Sequence, residues 1–586
     1  MRALRERSLN ERALAVTLVF AVVLDGILAV LFWWCVPVVI ASSQEKSALL
    51  ADIARDYNAS APRVGGRCVH ITVNRKASGE AEEALATDWD PRVDGERPVV
   101  WSPAASSWTV LLRQHRTSRG VPDLLAATSP SIMQSPLVIA MPKPMAAALG
   151  WPDKAVGWSD VLTLARDPGG WSRAGHPEWG AFRLGKTNPT VSTSGLHALV
   201  GSYFAATGTP PVEADLTSPA VVEFVRDVES SVVHYGDAVS TFLVNLLDAD
   251  RRNEELKYVS AIAMEEKQVV DYNDGNPLSL AAPTELPPKT QLVAFYPKEG
   301  TLVADHPYAI LNATWVDEAQ RGAAEAFRGY LLSEPVQLRF ANAAFRSHDG
   351  APGPRIKESN GLLPGWSGLV LRPPVGPLLE RMQRSWNDLR KRARILIAID
   401  VSAPMREPLA GGGTKLGLAK QAAAAALATD QLAPDDDVGV WTFTGGASSA
   451  APYRELAPVG PLASRREAIK ALIGDLDAES GETPLYATTR AAVRHIADRF
   501  DRKRIDAVIL MTSGRNKDRD DDLTDLLRAL RSQPEDTWVR VFGVTYGTTA
   551  DASTVQQIAK ASRAAAYEAL DSATIRRVIA AVLSNF

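Results

Sequence analysis

The sequence has few cysteines and histidines, and this limits the kinds of site it can build. Its two cysteines, Cys35 and Cys68, have no metal-ligand spacing. Cys35 also lies in an apolar segment, so we do not expect a disulfide bond between the two. The eight histidines are scattered, without the i, i+4 pairing of a zinc site carried on a helix. The sequence therefore indicates neither a disulfide framework nor a cysteine–histidine metal centre.

Excess positive charge is also absent. The net charge is −4 with 23% charged residues, and no basic stripe occurs beyond the N-terminal segment. This balance excludes the electrostatic footprint of a nucleic-acid-binding protein. With 586 residues of ordinary globular composition, the chain is too long for one hydrophobic core. We expect two or three domains.

One apolar run is long enough to span a membrane. Residues 13–40 carry a single charge, Asp25, and follow a basic tail of residues 1–12 that holds four arginines. The positive-inside rule places that tail in the cytoplasm and the rest of the chain outside the cell. We predict an uncleaved signal anchor of a single-pass cell-membrane protein; a cleaved signal peptide, with an apolar core of roughly 7–15 residues, is the alternative. Asp25 either pairs with a neighbouring membrane helix or is simply tolerated.

Strand-like and helix-like stretches alternate from about residue 47 to residue 365. The predicted strands are residues 68–73, 98–102, 135–141 and 290–296. This alternation predicts an α/β fold with a mostly parallel sheet. The region is also dense in tryptophan, and we expect these side chains to be core residues rather than a platform on which a ligand stacks.

Several sequence segments of this region resemble those of a known family. They are Ser135-Pro-Leu-Val-Ile-Ala-Met-Pro142, Gly185-Lys-Thr-Asn-Pro-Thr-Val-Ser192-Thr-Ser-Gly-Leu196, Leu292-Val-Ala-Phe-Tyr-Pro-Lys-Glu-Gly-Thr301 and Pro335-Val-Gln-Leu-Arg-Phe-Ala341. Residues 45–368 thus resemble a bacterial extracellular solute-binding protein of the molybdate- and sulfate-receptor kind. The resemblance implies two lobes that close on a ligand, with crossovers near residues 135–141 and 292–300.

One turn in this region has the chemistry of an anion site. The residues before an apolar, helix-prone run are Ser192, Thr193, Ser194 and Gly195. Hydroxyls at a helix start, with a glycine that permits close approach, leave free backbone N–H groups at the positive end of the helix dipole. Ser106 and Ser107, just after a predicted strand, form a second candidate site. Plain helix capping is the alternative, but the family resemblance favours an oxyanion or another small-molecule ligand.

A proline-rich break separates this region from the rest of the chain. Leu371-Arg-Pro373-Pro374-Val-Gly-Pro377 is the clearest boundary in the sequence. Apolar side chains then recur at helical spacing, at Leu379, Met382, Trp386 and Leu389. Residues 371–393 are therefore predicted to form a break followed by an amphipathic helix that packs on a neighbouring domain.

The last region begins with a fully apolar strand. Residues 395–399 show no polar alternation and lead directly into Asp400 and Ser402. Strands and helices alternate from there to residue 586, which predicts a doubly wound, mostly parallel sheet with helices on both faces. Ligands of such sheets bind at the carboxyl edge of the strands, where Asp400 lies.

Three motifs of residues 394–586 resemble those of a von Willebrand factor type A domain. They are Asp400-Val-Ser402, Gly481-Glu-Thr483-Pro-Leu and Leu510-Met-Thr512-Ser513-Gly514. The family's metal loop uses Asp, Ser, Ser, Thr and Asp, whereas the corresponding residues here are Asp400, Ser402, Pro404, Thr483 and Ser513. The resemblance therefore implies a degenerate metal site. With one carboxylate, Mg²⁺ is expected to bind weakly or not at all, and no other cofactor is expected.

No nucleophile has an evident base beside it, so we do not expect an enzyme. The preferred function is a membrane-anchored extracellular binding protein, in which a receptor-like module takes a small ligand and an A-type domain engages an extracellular or membrane protein. Three alternatives stay open: the substrate-binding component of a transport system, a subunit analogous to the A domains of metal-chelatase complexes, or a cell-surface hydrolase using Ser106 or Ser194. For the hydrolase, His197 is the nearest candidate base, although we expect it at the surface.

Overall fold

The computed structural model of the protein describes residues 35–409, 412–428, 431–445, 451–517, 522–534, 537–547, 550–571 and 574–586. Three sheets are present in these residues. Two of them form the part of the chain before residue 372, which we call the two-lobed domain. The third forms residues 392–586, which we call the second domain. One helix connects the two parts.

Each strand belongs to one of the three sheets. They are β1 (Val36–Ser42), β2 (Arg63–Val64), β3 (Arg67–Arg75), β4 (Val100–Ser102), β5 (Ser135–Pro142), β6 (Leu184–Gly185), β7 (Ala261–Glu265), β8 (Leu292–Phe295), β9 (Val303–Ala304), β10 (Ala309–Ile310), β11 (Arg392–Asp400), β12 (Asp437–Phe443), β13 (Arg454–Pro461), β14 (Arg504–Thr512), β15 (Arg540–Tyr546) and β16 (Ala566–Ala569). The strands β1–β4 and β10 form the first sheet, β5–β9 the second and β11–β16 the third.

Helices cover the faces of all three sheets. They are α1 (Gln44–Ala59), α2 (Ser78–Ala86), α3 (Pro91–Asp94), α4 (Ser106–Ser118), α5 (Lys143–Ala148), α6 (Trp158–Arg166), α7 (Thr193–Thr207), α8 (Pro219–Ser230), α9 (Val239–Arg251), α10 (Glu255–Tyr258), α11 (Glu266–Asn273), α12 (Glu318–Leu331), α13 (Glu334–Asn342), α14 (Gly376–Leu389), α15 (Lys415–Ala428), α16 (Arg466–Gly474), α17 (Leu485–Ala497), α18 (Leu523–Arg531), α19 (Ala552–Ala561) and α20 (Ile575–Leu583).

The two lobes have different sheets. The first lobe has the strand order β10-β4-β1-β3-β2, and β1 runs parallel to both β3 and β4. The second lobe has the order β6-β7-β5-β8, and its central strand β5 is antiparallel to β7, β8 and β9. The expectation of a mostly parallel sheet is therefore right for the first lobe and wrong for the second. The reason is that β5 enters the second lobe directly from the crossover and runs in the opposite direction to β7, β8 and β9.

The crossovers lie a few residues away from the ranges 135–141 and 292–300 that the family resemblance implied, because most of those two ranges forms the paired strands β5 and β8 of the second lobe. The chain leaves the first lobe through residues 131–136 and returns through residues 303–307. Ser135 pairs with Ala304, and Ser131 forms a bridge with Pro307, so the two crossovers run side by side. Such a pair of adjacent strands is the hinge of a two-lobed receptor.

The structure corrects the expectations for the chain near residue 40. Residues 36–42 form the buried strand β1, so the predicted membrane span of residues 13–40 is wrong at its end, and the first lobe begins before residue 45. A short apolar run without alternation is typical of a buried parallel strand as well as of a membrane helix. The remainder of the span, residues 13–34, lies outside the described residues.

The same strand explains a disulfide bond that the sequence analysis did not expect. β1 and β3 pair in the register Val36↔Val69, so the preceding residues, Cys35 and Cys68, are neighbours, and the two sulfurs are bonded. The bond ties the start of the first lobe to its sheet. Among the described residues, no helix has the length and apolar character needed to cross a membrane.

The helix after the proline-rich break packs as predicted. Leu379, Met382, Trp386 and Leu389 of α14 are buried. They contact α4, α7 and α8 of the two-lobed domain. The predicted linker of residues 371–393 ends slightly earlier than expected, because Arg392 already belongs to β11.

The second domain has the predicted doubly wound sheet, in the order β13-β12-β11-β14-β15-β16. All neighbouring strands are parallel except β13, which is antiparallel at the edge. Ile395, Ile397 and Ile399 of β11 face α15, α16 and α20, whereas Leu396 and Ala398 face α17, α18 and α19. This two-sided burial explains why β11 has no polar alternation.

The second domain is docked on the second lobe through the amino ends of its strands. Asn585 accepts a backbone hydrogen bond from Tyr235 N at 3.0 Å, and Lys391 Nζ donates to Val232 O at 3.0 Å. A cavity of about 230 Å³ at this junction is lined by residues that include Lys391, Asp506 and Arg540. The carboxyl edge of the sheet, with Asp400, is the opposite edge and lies away from the second lobe.

Candidate functional site

The candidate ligand site is a small cavity between the two lobes. Its volume is about 40 Å³, and side-chain hydrogen bonds between the lobes lie beside it. Five helices begin at this cavity, and the residue that precedes each of them lines it: Ser43 before α1, Ala77 before α2, Ser192 before α7, Ala238 before α9 and Glu265 before α11. The positive dipole ends of five helices thus lie at the same cavity.

The predicted hydroxyl turn forms part of this cavity. Ser192, Thr193 and Ser194 line it at the start of α7. The hydroxyls of Ser192 and Ser194 make no hydrogen bond with any residue that the structure describes, whereas Thr193 Oγ1 accepts from Trp108 Nε1 at 2.8 Å. Two of the three hydroxyls are therefore available to a ligand, and the third joins the lobes.

Gly195 supports the turn without lining the cavity. A Cβ atom at this position would lie 2.2 Å from the carbonyl oxygen of Thr187. The glycine is therefore needed because α7 starts against the backbone of residues 187–188. Its predicted role as a ligand contact is replaced by a role in positioning the helix.

Ser106 and Ser107 do not line the cavity, contrary to the sequence prediction. The backbone N–H of Ser106 donates to Asp305 Oδ1 at 2.6 Å, and Ser107 Oγ is 2.8 Å from His197 Nε2. Both serines are in the first turn of α4, which packs against α7 of the other lobe. The backbone N–H of Ser106 and the hydroxyl of Ser107 are therefore used in contacts within the protein.

His197 is buried, although the sequence analysis expected it at the surface. It is 1% exposed, and burial lowers its pKa to about 3, with His306 acting in the same direction. The Ser107–His197 bond, the Trp108–Thr193 bond and the 3.0 Å bond from Gly79 N to Val191 O all cross between the lobes. The serine–histidine pair is therefore part of the closed lobe contact, not an exposed nucleophile.

Several cavity residues were missed in the sequence. Ser43 and Ser78 lie at helix starts that follow strands, as Ser192 does, and Arg75 lies at the end of β3. Ser43 was overlooked because the strand before it was assigned to the membrane. The signal was present, since Ser42-Ser43 follows an apolar strand and precedes a helix that begins with a polar residue.

Three carboxylates share the cavity with these hydroxyls. Burial raises the pKa of Asp237, against the opposing effect of Arg75, and burial and Glu45 raise the pKa of Glu265 well above its usual value. Burial also works to raise the pKa of Glu45, but Lys46 and His306 hold it below the usual value. Of the three carboxylates, Glu45 therefore loses its proton more readily than usual, whereas Asp237 and Glu265 hold theirs more readily.

The four predicted metal-site residues of the second domain meet at the carboxyl edge of its sheet. Asp400 Oδ1 accepts from Ser402 N at 2.9 Å and from Ser402 Oγ. Asp400 Oδ2 accepts from Thr512 Oγ1 at 2.9 Å and is 3.5 Å from Ser513 Oγ. Ser402 Oγ lies 2.6 Å from Thr483 Oγ1. Burial raises the pKa of Asp400.

Comparison with known proteins decides the family. Residues 38–346, more than half of the chain, match the family model described as bacterial extracellular solute-binding protein. The chain belongs to this family. Residues 395–516 match the model of the von Willebrand factor type A domain. This solute-binding protein therefore carries an A domain after its two lobes.

Similar proteins share one or both parts of this solute-binding protein. An uncharacterized protein of Mycobacterium tuberculosis is 25% identical over 519 residues, which are 87% of this chain and 70% of that protein. The sulfate-binding protein SubI from Mycobacterium tuberculosis H37Rv has 16% identity and a TM-score of 0.34 over 56% of this chain and 92% of that one. A von Willebrand factor type A structure from Catenulispora acidiphila has 25% identity and a TM-score of 0.27 over 33% of this chain and 42% of that one.

The A domain of this solute-binding protein does not fit the Mg²⁺ of its family. The donor set has one carboxylate and three hydroxyls, and both oxygens of Asp400 already accept hydrogen bonds. Mg²⁺ requires close to octahedral oxygen ligands and releases its water reluctantly. The neighbouring hydroxyl and N–H groups already donate hydrogen bonds to both carboxylate oxygens of Asp400, so neither oxygen lacks a partner when no ion is bound. Weak or absent metal binding at these residues stays a prediction.

Proposed function

We propose that this solute-binding protein captures a small anion between its lobes. The observation that carries the proposal is the convergence of five helix starts on one cavity between the lobes. A helix start offers unpaired backbone N–H groups and about half a positive charge, and both favour an anion. In four of the five helices the preceding residue makes no side-chain capping bond, so its side chain does not compete for these N–H groups.

The side chains of the cavity support the same ligand class. The hydroxyls of Ser192 and Ser194 can donate to an oxyanion, and the Arg75 guanidinium is the cationic group at the rim. When Asp237 and Glu265 are protonated they carry no negative charge and do not repel an anion. Their raised pKa values favour this protonated state. A cavity of about 40 Å³ suits a compact ligand, such as a tetrahedral oxyanion or a short carboxylate, better than a sugar chain.

Calorimetry of the purified protein with sulfate, molybdate, phosphate and a short dicarboxylate tests the proposal. We expect one of these anions to bind with one-to-one stoichiometry. The double variant Ser192→Ala/Ser194→Ala removes two donors, and we expect it to bind at least about a hundredfold more weakly, because each hydrogen bond to a charged group contributes about 1.5–3 kcal/mol.

Ser202→Ala is the matched control for this experiment. Ser202 lies further along the same helix, and its hydroxyl donates within the helix to Ala198 O at 2.8 Å. The control variant should bind as the wild-type protein does. If no anion binds the wild-type protein, or if the double variant binds as tightly as the control, the cavity is not an anion site.

We propose that the A domain contacts a protein partner through the edge around Asp400, without a tightly bound metal. This edge lies opposite the one docked on the second lobe, so it stays accessible to a partner. Adding Mg²⁺ to the metal-stripped wild-type protein should leave its melting temperature unchanged. The variant Pro404→Ser/Ser513→Asp restores the family's donor set, and Mg²⁺ should raise its melting temperature. A shift in the wild-type protein would contradict this proposal.

We also propose that residues 13–34 anchor the protein in the membrane with residues 35–586 outside the cytoplasm. This segment still has about the 20 apolar residues that a membrane helix requires. The Cys35–Cys68 bond supports the orientation, because disulfides persist in oxidising compartments. Protease added to intact cells should remove the A domain. If the domain is protected while a cell-surface marker is cleaved, the orientation is reversed.

A further inference from the structure

A cluster of two carboxylates and one imidazole lies at the inner wall of the cavity. Glu45 lies in the first turn of α1 in the first lobe, Glu265 ends β7 in the second lobe, and His306 lies in the return crossover between β9 and β10. His306 Nε2 is 3.2 Å from Glu265 Oε2, and His306 Nδ1 is 3.6 Å from Glu45 Oε1. One ligand atom of each residue lies within 4.8 Å of the others.

The imidazole of this cluster lacks hydrogen bonds. His306 is fully buried, and neither of its ring nitrogens makes a hydrogen bond with a residue that the structure describes, although each faces a carboxylate oxygen. Glu265 Oε2 is also buried without a hydrogen bond to these residues. A buried polar group without a partner destabilises the folded state, so native structures rarely keep three such atoms together. We therefore expect a bound ion or molecule to contact the two ring nitrogens of His306 and Glu265 Oε2.

A divalent cation at the cluster would displace the proton that burial favours on Glu265. With that proton gone, Glu45 and Glu265 carry two negative charges, and Lys46 beside Glu45 offsets one of them. Lys46 Nζ is directed elsewhere, since it donates to Ser102 O at 2.9 Å and to Pro103 O at 3.1 Å. It therefore does not fill the space between the imidazole and Glu265.

The ligand types narrow the choice of ion. Two carboxylate oxygens and an imidazole nitrogen suit Zn²⁺, Mn²⁺, Fe²⁺ and related ions, whereas Ca²⁺ and Mg²⁺ prefer oxygen ligands alone. We propose that Glu45, Glu265 and His306 bind a divalent transition-metal ion at the inner wall of the interlobe cavity. Because Glu45 and Glu265 line the cavity, a ligand held there can complete the coordination of the ion.

The position of the three residues couples metal binding to lobe closure. Glu45 and Glu265 belong to opposite lobes, and His306 belongs to the hinge. The complete ligand set therefore exists in the closed arrangement, and an ion that binds all three stabilises closure by its differential affinity for that state. This inference does not depend on the anion proposal, since the ion is tested without any anion.

Titration of the metal-stripped full chain with Zn²⁺, Mn²⁺ and Mg²⁺ in a non-coordinating buffer tests the site. We expect Zn²⁺ or Mn²⁺ to bind one-to-one and to raise the melting temperature, and Mg²⁺ to bind at least tenfold more weakly. Glu265→Gln keeps the shape of the side chain, and His306→Asn suits the left-handed backbone at φ 39°. Each variant should bind Zn²⁺ or Mn²⁺ at least tenfold more weakly than the wild-type protein.

Asp56→Asn is the matched control, because Asp56 lies on α1, as Glu45 does, but is exposed and outside the cavity. It should keep the metal affinity of the wild-type protein. Co²⁺ gives a second measurement: its visible absorption in the wild-type protein should be lost in Glu265→Gln. The inference is overturned if the wild-type protein binds no transition metal stoichiometrically, or if Glu265→Gln and His306→Asn, shown to be folded by circular dichroism, bind it as the control does.

Discussion

At the scale of single residues, the environment of a carboxylate decides its role more than its position in a motif does. Asp400 and Glu265 both lie at the end of a buried strand. The oxygens of Asp400 accept hydrogen bonds from its own loop and from Thr512, whereas Glu265 Oε2 has no hydrogen bond to the described residues. The motif pointed to Asp400 as the metal site, but Glu265 Oε2, beside a histidine that also lacks hydrogen bonds to the described residues, is in the other domain.

Asp506 provides a prediction at this scale. It lies in β14 at the junction cavity, and burial raises its pKa to about 6. The folded state therefore holds a proton on Asp506 at a pH where the unfolded chain, with a pKa of 3.8, has lost it. The stability that this group contributes is complete below about pH 4 and is lost as the pH rises through 6.

We expect Asp506→Asn to remove this loss. Relative to the wild-type protein, the variant should gain about 1.4 kcal/mol of stability for each pH unit between about pH 4 and pH 6. Denaturant unfolding at pH 4, 5, 6 and 7 measures the difference. Asp525→Asn, on an exposed face of α18, should show no such pH dependence. A constant difference between Asp506→Asn and the wild-type protein would show that Asp506 does not titrate differently in the two states.

At the scale of elements, the start of α7 shows how one glycine positions a binding turn. A Cβ atom at Gly195 would lie 2.2 Å from Thr187 O, so the helix must move for any other residue to fit. Gly195→Ala should destabilise the protein by about 1–3 kcal/mol through overpacking, and should also weaken anion binding because Ser192 and Ser194 shift with the helix. Thermal unfolding and calorimetry measure the two effects.

Gly329→Ala is the matched helix variant for this prediction. A Cβ atom there meets nothing within 4 Å, and the residue lies within α12. Alanine has the higher helix propensity by about 1 kcal/mol, so this variant should be at least as stable as the wild-type protein. If both variants are equally stable, the contact with Thr187 does not constrain α7.

The boundaries of the elements in the second domain followed from local patterns. The strand of residues 395–400 and the helix of residues 416–429 were predicted within a few residues of Arg392–Asp400 and Lys415–Ala428. These elements have clear periods and clear breaks. The pattern misled at β1, because an apolar run of seven residues joined to a longer one does not show where a membrane helix ends and a buried strand begins.

At the scale of the whole molecule, the linker helix makes the two domains one packed unit. Trp386 is 2% exposed, its Nε1 donates to Glu229 at 3.3 Å, and its ring contacts Tyr235 edge-on. Tyr235 in turn contacts Lys391 and Asn585 of the second domain. The A domain is thus held in a fixed orientation, with its Asp400 edge away from the lobes.

Trp386→Ala should separate the unfolding of the two domains. Removing this side chain leaves a cavity at the junction and costs about 3–5 kcal/mol. In calorimetry the wild-type protein should show one cooperative transition, and the variant should show two. Trp315→Ala, a partly buried tryptophan of the first lobe, should lower stability without dividing the transition. Two well-separated transitions in the wild-type protein would contradict the coupling.

The sequence by itself determined the elements and motifs whose information is local. Residues close together in the chain, or short motifs that resemble a family, are enough to predict these features. They are the doubly wound sheet, the linker helix, the hydroxyl turn of residues 192–194 and the reduced donor set around Asp400. The tertiary structure alone decided which residues far apart in the chain meet. Closure of the lobes brings Glu45 and Glu265 to the hinge histidine, and strand pairing joins Cys35 to Cys68. Such contacts depend on packing and register, which no local period encodes.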